Sequence, residues 1–355
     1  MKFPTKNARG GALALVAALA LTLAGCSSDD SGSESSETAG GGGGDDAMSE
    51  ANLAITFLPK NLGNAYFDTS NSVGGASAIE EFGGTYEEVG PAEATPDSQV
   101  SFINTAAQQG VGALVVSAND PAAICDALNE ARDAGVKVVT YDSDTNAECR
   151  DVFINQATAE GIAQVQVDMI AEQIGDEGEI AILSASANAT NQNAWIEMME
   201  EILAADHPNI ELVDTVYGDD DDQTSFDKTA ALLQTYPDLK GIVSPTTVGI
   251  SAAARYLSTS DAKGEVAITG LGTPNQMREY VEDGTVTEFA LWNPADLGYL
   301  AAYAAKALIE GEITGAEGDT FEAGELGSYE VGADSVVLLG DPYRFNADNI
   351  GDFDF

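Results

Sequence analysis

Two kinds of apolar pattern alternate along this chain. The first is a short unbroken run, as in LAITFL at 53–58, GALVVSA at 112–118, VKVVTY at 136–141 and EIAILSA at 179–185. Runs without a polar face mark strands buried on both sides, as in a parallel sheet. The second pattern repeats apolar residues every three or four positions over about 65–82, 97–109, 121–135, 158–174, 191–205, 224–235 and 249–259. That spacing predicts amphipathic helices. Pro121 opens one of them and Gly135 closes it, the asymmetry expected of helix ends. Strand and helix in repeated alternation demand parallel pairing with right-handed crossovers. The order restarts at DVFINQ, 151–156, so the fold class is α/β with two doubly wound parallel-sheet lobes.

Ligands of open parallel sheets sit beyond the carboxyl ends of the strands. The residues just past each apolar run are Lys60 and Asn61, then Phe67 in GNAYF, Asn119 in SANDP, and Tyr141, Asp142 and Asp144 in YDSDT. The second array adds Asn191 and Gln192 in SASANATNQNAW, Pro245 and Thr247 in SPTTVG, and the loop GLGTPNQ. Amides, hydroxyls, carboxylates, one lysine and aromatic rings would thus meet where a cleft between lobes begins. An aromatic residue at such a place more often fills a core. Asp144 has a structural alternative as well, bonding its own turn.

Residues 1–25 carry Lys2, Lys6 and Arg9 ahead of an apolar run from Gly11, with no acid before Asp29. This is the pattern of an export signal, and it is too short for the ~20 apolar residues a bilayer core needs. The run ends Leu23-Ala24-Gly25-Cys26, which resembles a bacterial lipobox. The resemblance implies cleavage before Cys26 and lipid on its thiol. Residues 26–51 then form an acidic Gly/Ser tether, and the folded part begins at Asn52. With 59 acidic and 14 basic residues, the chain has a formal charge of -45, which disfavours nucleic acid and anionic partners. A hydrophobic fraction of 44% still supplies a core, so the acids form a solvated surface, a pattern of salt adaptation.

The stretches LAITFLPKNLGNAYF, TYDSDTNAECR, FINQATAEG, ATNQNAWI, GLGTPNQMREYV, FALWNPADLGYLAAY and FNADNIGDFDF, in that order over about 52–355, resemble the type I periplasmic solute-binding proteins of ABC sugar importers. Within that family they are similar to the rhamnose-binding and autoinducer-2-binding branch. The resemblance implies two lobes joined by a three-crossover hinge that close on a small polar ligand. Mapped onto this chain, the crossovers fall near Asn155, Trp292 and Thr320. The N-terminal lobe would hold 52–155 plus 293–320, and the C-terminal lobe 156–292 plus 321–355. It also implies that Lys60 and Asp142 grip ligand oxygens and hydroxyls, that Asn191 and Gln192 oppose them, and that Pro245 and Thr247 meet the ligand from a loop. Phe67, Tyr141 and Trp292 would flank a sugar ring, with Asn61 and Asn119 as further polar contacts. Cys125 and Cys149 match a cysteine pair of the branch, and an exported domain permits their disulfide. The autoinducer-2 branch carries aspartate where this chain has Asn191 and alanine where it has Thr247, whereas the rhamnose type looks like this chain at both. The expected ligand is therefore a rhamnose-like monosaccharide, with the furanosyl signal as the alternative. The expected partner is an ABC permease, reached by a monomer anchored through lipid at the extracytoplasmic face of the cell membrane.

Catalysis has little to work with. His207, the only histidine, precedes Pro208 at a helix end, an ordinary stop position. No G-x-S-x-G or P-loop occurs, and GLGTPN lacks the last glycine of a dinucleotide fingerprint. GDDDDQ at 218–223 imitates a calcium loop, but Thr224 and Ala230 stand where glycine and glutamate belong; it reads as a solvated turn. No cofactor and no metal are expected, and a carboxylate-dependent glycosidase is the enzyme alternative.

Overall fold

The computed structural model describes residues 51–355. The export signal, Cys26 and the tether to residue 50 lie outside the described residues. Strand β1 (Ala54–Leu58) leads into a helical segment made of α1 (Ala65–Phe67), a π-helical stretch at Asp68–Gly75 and α2 (Ala76–Glu81). It continues through β2 (Thr85–Glu88), α3 (Val100–Gln109), β3 (Ala113–Val116), α4 (Cys125–Asp133), β4 (Lys137–Tyr141) and β5 (Val152–Asn155). Every pairing among these strands is parallel. The apolar runs lie inside: Phe57, Leu58, Val115 and Val116 are fully buried. Cys125 and Cys149 are disulfide-bonded with Cα atoms 5.3 Å apart, tying the start of α4 to the turn beyond β4.

The second array runs α5 (Ala159–Ile174), β6 (Gly178–Ser184), α6 (Thr190–Asp206), β7 (Ile210–Tyr217), α7 (Asp222–Thr235), β8 (Leu239–Ser244), α8 (Thr247–Ser258), β9 (Ala267–Gly270), α9 (Pro274–Glu282) and β10 (Glu288–Leu291). Its parallel sheet has the order β7-β6-β8-β9, and an isolated bridge from Leu271 to Ala290 brings β10 alongside. The α/β class with two parallel-sheet lobes is thus observed.

Helix α10 (Pro294–Glu310) returns to pack on β3, β4, β5 and the π-helical stretch. The two helical backbones touch there. A Cβ on Gly298 would lie 1.8 Å from the Ser70 carbonyl oxygen, and one on Gly74 1.9 Å from that of Ala295. A hairpin of β11 (Thr320–Glu322) and β12 (Ser328–Glu330) comes next, then β13 (Val336–Leu338) and β14 (Tyr343–Asn346). Strand β13 pairs in parallel with β5, completing the order β13-β5-β4-β3-β1-β2, while β14 pairs antiparallel with β10.

These last pairings correct one boundary. The chain does not pass to the second lobe near Thr320, because Val336–Leu338 still bonds along Phe153–Asn155 of the first sheet. It crosses at 339–342, where Leu339 N–H donates to Asn155 O at 2.9 Å and Gly340 N–H to Gln156 O at 3.2 Å. The first and third crossovers therefore run side by side, and the second lies at Trp292 between β10 and α10.

Candidate functional site

A cleft lies where the carboxyl ends of both sheets face each other. From the first lobe, the turn after β1 delivers Lys60. Asn64 caps α1, its Oδ1 accepting from Tyr66 N–H at 3.1 Å, and this sets Tyr66 and Phe67 on the cleft wall. Strand β4 leads into Asp142, whose φ of 60° is a left-handed conformation that a non-glycine residue adopts at a cost. From the second lobe come Asn191, Gln192 and Trp195 of α6, Asp220 after β7, and Pro245, Thr246 and Thr247 at the start of α8. Leu271, Leu291 and Trp292 close the base.

The polar groups are tied across the lobes. Lys60 Nζ lies 3.8 Å from Asp142 Oδ2 and donates to Asn191 Oδ1 at 3.3 Å. Ser117 Oγ donates to Asp142 Oδ2 at 2.8 Å, and Asn191 Nδ2 donates to the Asp142 carbonyl at 3.4 Å. Gln192 Oε1 accepts from Ser184 Oγ at 2.7 Å and from Ala185 N–H at 2.8 Å, so its amide nitrogen is the end available to a ligand. Thr246 Oγ1 donates to Asp220 Oδ1 at 2.5 Å. Burial pushes the Asp220 carboxyl up from its ordinary range, against the opposing pull of the Thr246 bond and the Lys60 charge. The apolar wall is aromatic: Trp292 meets Tyr66 and Trp195 edge-on, each at 6.1 Å between centroids, and Trp292 Nε1 donates to Tyr66 Oη at 2.9 Å. Burial, reinforced by Asp142, raises the Tyr66 phenol well above its usual pKa, so it remains a neutral hydroxyl.

Of the sequence-predicted residues, Lys60, Phe67, Asp142, Asn191, Gln192, Pro245, Thr247 and Trp292 line this cleft. Three others do not. Tyr141 is fully buried, donates to Asn71 Oδ1 at 2.8 Å and packs edge-on against Phe67, so it supports the wall from behind. Asn119 donates to the Lys60 carbonyl at 2.9 Å and fixes that turn. Asn61 lines an adjoining depression beside Glu93 and Asp219 that shares Asn64 and Asp220 with the cleft. Asp144 binds Arg150 Nε at 2.7 Å and its own turn at Thr145 N–H, a structural role. The solvated-turn reading of GDDDDQ is corrected by Asp220. Its place directly beyond a parallel strand is the available signal, the same one that selects Asp142.

A model of the periplasmic binding protein domain matches residues 55–313. The chain belongs to the periplasmic binding protein family. Among solved structures, this periplasmic binding protein is similar to a sugar ABC transporter protein from Actinomyces odontolyticus, 55% identical over 86% of this chain and 99% of that one, with a TM-score of 0.70. An ABC transporter solute-binding protein from Clostridium phytofermentas with bound L-rhamnose is 39% identical, covering 85% and 98%, at a TM-score of 0.82. LsrB from Clostridium saccharobutylicum in complex with AI-2 is 30% identical, covering 85% and 99%, at 0.81. The family comprises solute-binding components of ABC transporters that work outside the cytoplasm. No helix among the described residues is long and apolar enough to cross a membrane.

Proposed function

We propose that this protein captures a rhamnose-like neutral monosaccharide between its lobes and delivers it to an ABC permease, held at the membrane by lipid on Cys26. The observation that carries the reading is the cleft itself, where Lys60 and Asp142 face Asn191, Gln192 and Thr247 beside an aromatic wall of Trp292, Tyr66 and Phe67. A carboxylate accepts sugar hydroxyls, an ammonium and amides donate to sugar oxygens, and the C–H face of the ring packs on indole. The relative with bound L-rhamnose supports the sugar over other solutes. Because the polar groups come from both lobes, a ligand is fully bonded only when the lobes close. Calorimetric titration with L-rhamnose, other monosaccharides and AI-2 tests the proposal: L-rhamnose should bind most tightly. Tight binding of AI-2 with no response to any sugar would reverse it.

AI-2 is the second reading, favoured by the likeness to LsrB. Against it stand Asn191 and Thr247, an amide and a hydroxyl that supply additional donors for a ligand with more hydroxyls.

A further inference from the structure

Asp220 has no task in holding its own turn. The adjoining helix α7 is capped by Asp221, whose Oδ1 accepts from Thr224 N–H and Thr224 Oγ1, both at 2.7 Å. Asp219 is exposed on the same turn. Asp220 instead borders the cleft, and the adjoining depression as well, with a backbone φ of 50° in the same left-handed region as Asp142 across the gap and its neighbour Asp219. Thr246 holds one of its carboxylate oxygens and leaves the other for something else.

We propose that Asp220 is a second ligand-gripping carboxylate, opposite Asp142, and that it selects an uncharged polyol able to donate hydroxyls toward both lobes. This rests on the reading of the cleft as a sugar site. Lys60 is the one basic side chain against two acidic ones among the lining residues, so a ligand bearing its own carboxylate or phosphate is disfavoured. Hydroxyl donors answer both acids, and Lys60 supplies the charge-assisted donor for a ring or hydroxyl oxygen. The burial that raises the Asp220 pKa also strengthens any hydrogen bond it accepts.

The test is calorimetric titration of the wild type, Asp220→Asn and Asp219→Asn with a panel of L-rhamnose, D-ribose, D-arabinose and D-fucose, with thermal unfolding of each variant. Asparagine tolerates a left-handed φ, so Asp220→Asn should fold. It should bind the panel's tightest sugar about tenfold or more weakly, the loss expected for a hydrogen bond to a charged group. Asp219→Asn removes the same charge from the same turn without touching the cleft and should stay within about threefold. If Asp220→Asn also stays within threefold, or if the two variants weaken binding equally, the direct contact is overturned while the sugar reading stands. A wild type that binds nothing in the panel overturns the sugar reading and this inference together.

Discussion

At the residue scale, two aspartates hold left-handed backbones at the cleft, and such conformations persist where the surrounding structure and function maintain them. Asp142 is the more deeply embedded, contacted by Ser117 and Lys60. Asp142→Ala should weaken ligand binding by ~1–3 kcal/mol, since it strands ligand hydroxyls and leaves Lys60 short of its countercharge; titration of the variant checks this. The paired change Asn191→Asp with Thr247→Ala should move preference from sugar toward AI-2 in the same assay. Asp220 carries a pH signature. A carboxyl with a raised pKa keeps its proton in the folded state after the unfolded chain has lost it, so its contribution to stability is greatest at low pH and is lost as pH rises through the folded value. Asp220→Asn lacks that penalty. Its melting temperature relative to the wild type should therefore rise as pH increases from below ~4 toward neutrality, and a difference that is flat with pH would refute the account.

At the element scale, what can be read from the chain depends on the reach of the interactions. Strands β1, β3, β4 and β6 are largely apolar runs buried on both faces, and local pattern alone reveals them. Strands β11 to β14 are short and largely half-exposed, with bounds set by partners far along the chain, as β13 is by β5 and β14 by β10. No local pattern marks such strands, which is why the third crossover lies later in the chain than the sequence suggests. The same limit applies to the site. Residues directly after legible strands can be picked out, whereas Tyr66 and Trp195 reach the cleft from within helices α1 and α6. The contact of α10 with the π-helical stretch leaves no room for a side chain. Gly298→Ala would drive a methyl into the Ser70 backbone, an overpacking that should cost ~1–3 kcal/mol in denaturant unfolding. The Cys125–Cys149 disulfide, spanning 24 residues of sequence, should contribute roughly 3 kcal/mol by restricting the unfolded chain. Reduction should lower the melting temperature without dismantling the cleft, because neither cysteine lines it.

At the scale of the whole molecule, two lobes work as one device. Three connections join them, two of which are hydrogen-bonded to each other through Leu339 and Gly340, an arrangement that would confine bending to a narrow strip. Such geometry favours hinge closure. The present arrangement already joins Lys60 and Asp142 of one lobe to Asn191 of the other by long, weak contacts of 3.3 and 3.4 Å. Few polar bonds cross the cleft, so without ligand a more open form should also be populated. The surface works in the same direction: a formal charge of -45 makes each lobe repel the other, and salt should relieve this by screening. Ligand adds short bonds to both walls and shifts the balance toward closure by its differential affinity for that state. Small-angle scattering should then show a smaller radius of gyration on adding saturating L-rhamnose, together with a melting temperature that rises with salt in the unliganded protein. An unchanged radius under saturating ligand would mean that the lobes are fixed and that the cleft fills without motion.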